Sequence, residues 1–129
     1  MFLPKMKLWS NMFFLVPFSL AMRWSVFWYA PIIGLAFLFS CLYHYSDEKH
    51  WGKIDILFAL VLISSNFILM SLGHLKPIEY VLACIAFALL AGLFYFRQYK
   101  YGYNLNHSAY HISSAIICVL CLLIFSLNT

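Results

Sequence analysis

Charge is what this sequence has least of. Only 9% of its 129 residues are charged, and just four of those are acidic. With 65% hydrophobic and 20% aromatic residues, a chain of this length has too little polar surface to cover a soluble domain. It reads instead as an integral membrane protein. The eight Lys and Arg give a formal net charge of +4. They stand at the edges of the apolar runs, as spanning segments require, and nothing in their placement implies a nucleic-acid partner. A disulfide framework is lacking too, because Cys41, Cys84, Cys118 and Cys121 all fall inside apolar runs. The pair Cys118-x-x-Cys121 has no charged neighbour to favour a thiolate and reads as two small packing residues.

The apolar runs predict an all-α membrane bundle of about five transmembrane helices, in a single domain covering 1–129, over roughly 8–22, 25–45, 51–72, 78–96 and 107–127. The first run follows Lys5 and Lys7 and passes superficially for a signal peptide ending near Ala21. Pro17 interrupts its apolar centre, however, and a second run follows almost directly, so it reads as a retained helix that begins at or before Leu8. Arg23 and Trp24 are the expected turn before the second helix, which carries Pro31 in its first third. The segment from Ser46 to His50 is a polar connection, Gly73-His74-Leu75-Lys76-Pro77 punctuates the end of the third helix, and the tyrosine-rich stretch through Tyr103 resembles an interfacial belt.

Within this apolar background a few polar residues coincide. His107 and His111 lie four apart and project from one helical face, as two ligands of one metal ion must. With five spans, the end of the second helix and the starts of the third and fifth share one side of the membrane. His44 and Asp55 therefore fall at the depth of the paired histidines, with Ser40 one turn deeper than His44. Taken singly, each residue has an ordinary reading: interfacial histidines, a first-turn aspartate, a serine bonded to the preceding turn. Together they predict a zinc site with His44, His107 and His111 as ligands. Three neutral imidazoles leave the fourth tetrahedral position open to water, as in catalytic zinc. Asp55 could take a proton from that water, and Ser40 could donate a hydrogen bond to a developing oxyanion. His50 and His74 read as ordinary interface residues, and Tyr43 and Tyr110 as belt aromatics that could also orient a substrate.

The pattern Ser40-x3-His44, Asp55, His107-x3-His111 resembles the CREST superfamily of membrane hydrolases, which includes alkaline ceramidases, the adiponectin and progestin receptors and myomaker-like proteins. The words Leu42-Tyr43-His44 and His107-Ser108-Ala109-Tyr110-His111 are most similar to the myomaker-like branch, and Ser10-Asn11 followed by Pro17 resembles the family's first helix. The resemblance implies the same three zinc ligands, with Asp55 and Ser40 contacting water or substrate. The chain departs from the family in lacking two of its seven spans, which implies a cavity that is open or completed by a second copy. It also lacks the acidic calcium-binding element of the ceramidases.

The expected function is zinc-dependent hydrolysis of an amide or ester bond in a membrane lipid. The alternatives are a structural metal site with a role in membrane organisation or partner binding, and a proton relay through Asp55 and the histidines. Orientation has two opposing indications. Lys5, Lys7, Lys49, Lys53, Arg97 and Lys100 fall on the metal side and only Arg23 and Lys76 on the other, which predicts a cytoplasmic site. The resemblance to ceramidases implies the opposite side. The charge count, read from this chain itself, sets the expectation.

Overall fold

A computed structural model describes residues 2–128. It is an all-α bundle, without strands among the described residues: α1 (Phe2–Ser10), a 3-10 segment (Asn11–Phe14), α2 (Leu15–Arg23), α3 (Ala30–Ser46), α4 (Lys49–Leu72), α5 (Pro77–Arg97) and α6 (Tyr103–Leu127). Three of these, α4, α5 and α6, are long and apolar enough to cross a membrane. At 17 residues α3 spans about 25 Å, short of a full hydrocarbon core of about 30 Å.

Pro17 explains why the first apolar run is broken. A proline ring clashes with the carbonyl four residues earlier and offers no N–H, so the chain tightens into 3-10 geometry over Asn11–Phe14 and resumes as α2 with Pro17 in its first turn. The run thus begins at Phe2 and is two short helices rather than one. Pro31 corrects the start of the second predicted helix in the same way. That helix begins at Ala30 instead of 25, because a proline in the first turn removes a donor that has no intrahelical acceptor anyway. The connection before it is longer than Arg23-Trp24: it passes through Ser25 in a left-handed conformation (φ 60°) and is tied by the Val26 N–H to Ala21 O bond of 2.8 Å.

The other boundaries move by less. The polar connection shrinks to Asp47 and Glu48, because Asp47 takes the left-handed C-terminal position (φ 56°) that Asp tolerates better than most residues. Gly102, at φ 111°, starts α6 at Tyr103, a full turn before His107.

The hub is α6, which packs against α1, the 3-10 segment, α2, α4 and α5, while α3 packs against α4 and α2. Gly73 lets the end of α4 approach α6, since a Cβ there would lie 2.7 Å from Ile124 Cγ2 and 3.0 Å from its carbonyl oxygen. The core at this end is Tyr29, Ile33, Leu69, Met70, Cys118, Cys121 and Leu122, all essentially inaccessible. One polar chain crosses it. Tyr29 donates its hydroxyl proton to Asn66 Oδ1, and Asn66 Nδ2 reaches Cys118 Sγ at 3.8 Å, so the polar groups buried there are partnered. All four cysteines are free. By contrast α5 has no buried residue and packs mainly on α6.

Candidate metal centre

The opposite end of the bundle gathers the predicted histidines. His44 lies two residues before the end of α3, and His107 and His111 lie in the second and third turns of α6. One ring nitrogen from each can be chosen so that all three lie within 4.8 Å of one another. His44 Nε2 and His107 Nε2 are 3.0 Å apart. Two nitrogens bound tetrahedrally at about 2.0–2.1 Å would be separated by about 3.3 Å, so the pair needs almost no movement to share an ion. Only 9% of His44 and 5% of His111 is exposed, and His107 is partly buried.

Hydrogen bonds on the outer side of two of the rings set their tautomers. Gln98, buried at the start of the α5–α6 connection, presents Oε1 to His107 Nδ1 at 2.6 Å. A carbonyl oxygen can only accept, so His107 carries its proton on Nδ1 and a lone pair on Nε2. Ser10 Oγ gives its one proton to Lys7 O at 3.0 Å and lies 2.8 Å from His111 Nδ1. It must therefore accept from His111, which leaves His111 Nε2 with a lone pair as well. Such outer partners fix ring orientation and raise the basicity of a ligand nitrogen. His44 is different: its Nδ1 is buried with no hydrogen-bond partner. Donor type, convergence and the tautomers of His107 and His111 fit a metal ion that prefers imidazole, and the three residues could hold one. No fourth His, Cys, Asp or Glu joins the cluster among the described residues, which could therefore offer an ion three ligands.

Aromatic rings wall the cluster. Tyr103 stacks on His107 with centroids 5.0 Å apart and planes at 14°, and the Lys7 ammonium covers Tyr103 at 4.9 Å. Phe14 meets His111 edge-on at 6.4 Å, and Tyr43 tilts against His44 at 5.0 Å. Tyr110 lies 6.1 Å from His107, beside the cluster where sequence spacing put it.

Ser40 and Asp55 form an adjoining polar layer. At the start of the 3-10 segment Asn11 is fully buried, its Nδ2 donating to Lys7 O at 3.2 Å and its Oδ1 accepting from Ser40 Oγ at 3.0 Å. Asp55, half-buried in the second turn of α4, neighbours the Ser40 hydroxyl but stands outside the three-histidine cluster. The proton that Ser40 was expected to offer an oxyanion is thus engaged by Asn11. His50 and His74 lie elsewhere: His50 is exposed and pairs with Glu48 at 3.3 Å, and His74 is exposed in the α4–α5 connection.

Gln98, Tyr103 and Lys7 were not foreseen as parts of the site. Gln98 hides in a run of basic and aromatic residues that resembles any interfacial connection; its only signal is an uncharged amide between Arg97 and Lys100. No family model, curated protein or solved structure matches this chain.

Proposed function

We propose that this protein is a zinc-dependent intramembrane hydrolase that cleaves an amide or ester bond of a membrane lipid, as a multi-pass protein and a shortened member of the CREST superfamily. The observation that carries this reading is the convergence of His44, His107 and His111, with a tetrahedral position left to a non-protein ligand and a half-buried carboxylate near by. Zinc is favoured over other imidazole-binding metals because a three-coordinate, thiolate-free set suits its tetrahedral preference. Bound there, zinc would supply Lewis acidity, lowering the pKa of water and polarising a carbonyl.

The chain's own residues supply the rest. Asp55 is the proton acceptor and returns the proton to the leaving amine or alkoxide. Ser40, turning from Asn11 toward the substrate, donates a hydrogen bond to the oxygen that gains charge. Phe14, Tyr43, Tyr103 and Tyr110 line the approach and keep bulk water from the reacting atoms.

The test is turnover by the purified full chain of an amide-linked lipid (a ceramide) and an ester-linked lipid (a diacylglycerol), with and without chelator. One class should be cleaved, chelation should abolish cleavage and added zinc should restore it.

The engagement of Ser40 by Asn11 favours a second reading, in which the same ion only staples helices together. Retained zinc, a chelator-dependent loss of thermal stability and no turnover of either lipid would establish that reading instead.

A further inference from the structure

A groove of about 410 Å³ runs along the outward face of α5, lined by Ala88, Leu89, Gly92, Leu93 and Phe96 and closed at one end by Arg97, Lys100 and Tyr101. Among the described residues nothing occupies it at Gly92, where an added Cβ would meet no atom within 4 Å. Its end is cationic without compensation. The one ion pair among the described residues joins His50 and Glu48, so Arg97 and Lys100 have no carboxylate partner. Both instead converge on one ring, Arg97 at 5.1 Å and Lys100 at 5.3 Å from the centroid of Tyr101. Two like charges sharing one ring repel, and an anion placed between them would relieve that repulsion.

We propose that this groove binds one anionic phospholipid, an acyl chain lying against Ala88 and Gly92 and the phosphate held by Arg97 and Lys100. Charge decides between this occupant and a second copy of the chain. Two copies packed symmetrically through α5 would bring the same cationic pair from each chain to one end of the interface, whereas a lipid phosphate neutralises it. The site is separate from the metal centre, but the two share one segment: Arg97 and Lys100 line the groove, while Gln98 between them reaches inward to His107.

Native mass spectrometry of the full chain in detergent, titrated with dioleoyl phosphatidylglycerol or dioleoyl phosphatidylcholine, tests the assignment. The first phosphatidylglycerol should bind about tenfold more tightly than phosphatidylcholine, as expected for two cations near a headgroup. Arg97→Gln with Lys100→Gln should abolish that preference. Gly92→Leu should weaken phosphatidylglycerol binding about tenfold at unchanged helicity, since its side chain enters only the groove; Gly92→Ala should act in the same direction and less. Equal affinity for the two lipids, or a preference that survives the double substitution, would overturn the proposal. So would binding indifferent to Gly92→Leu, which means headgroup adsorption alone. Displacement of the lipid by millimolar inorganic phosphate would identify a free-anion site, and a dimer that Gly92→Leu dissociates would identify a protein interface; either result replaces the lipid as occupant.

Discussion

Each histidine of the cluster is held differently, and metal affinity should follow the difference. Gln98→Leu removes the acceptor for His107 Nδ1, and Ser10→Ala an acceptor for His111 Nδ1. Each should lower metal affinity about 10–100-fold, measured by competition with a chromogenic chelator, with the fold retained. Removing a ligand outright should do more: His107→Ala or His111→Ala should lose the metal and lower the melting temperature together, because metal binding free energy is also folding free energy. Elemental analysis that finds no transition metal in wild-type protein purified without chelator would sink the site itself. Asp55→Asn should leave metal content unchanged and remove most lipid turnover, since an amide cannot take up the proton; full activity in that variant would make Asp55 structural. The histidines were legible because helical spacing and topological parity both constrain them. Their outer partners were not, because Ser10 closes α1 where it gives way to 3-10 geometry and Gln98 opens the α5–α6 connection, and helical spacing carries no depth information across either.

Between elements, two glycines of the same composition class should behave oppositely. Gly73→Ala forces a methyl against Ile124, including its backbone, and should cost about 1–3 kcal/mol by separating α4 from α6. Gly92→Ala meets open space and should be neutral or stabilising by up to about 1 kcal/mol, from helix propensity alone. Thermal unfolding of the two variants in one detergent reads the contrast; equal effects would mean that the α4–α6 approach does not depend on Gly73. The existence of these elements was evident from the apolar runs, and their ends were not. Apolar content is continuous along the first run and across Ser25 to Pro31, yet α-helical geometry is interrupted over Asn11–Phe14 and again between Arg23 and Ala30, because proline geometry and a left-handed serine are local events that apolar content cannot register. The polar chain Tyr29–Asn66–Cys118 was missed for the converse reason: its members are 37 and 52 residues apart, and no local pattern links them.

For the molecule as a whole, the distribution of charge bears on which side of the membrane the histidines face. The cytoplasmic orientation expected from the sequence rests on charge. The end of the bundle where Ser10, His44, Gln98 and His107 meet is also where Lys7, Arg97 and Lys100 are found, Lys7 covering Tyr103 and the other two flanking Tyr101. Lys49 and Lys53 begin α4 at the same end, while Lys76 starts α5 and Arg23 ends α2 at the other. An excess of Lys and Arg in short connections marks the cytoplasmic face. Packing of α1 and the 3-10 segment against α6, with Ser10 bonded to His111, ties Lys5 and Lys7 to that end and so adds their weight to the count. Lys49 opens α4 and Lys76 caps α5, both exposed, so a single new cysteine at either position is open to a membrane-impermeant maleimide, whereas Cys118 and Cys121 are buried. In intact cells Lys76→Cys should label from outside and Lys49→Cys only after permeabilisation. Labelling of position 49 from outside would invert the assignment and place the metal end on the outer or lumenal face, where the resemblance to ceramidases would put it.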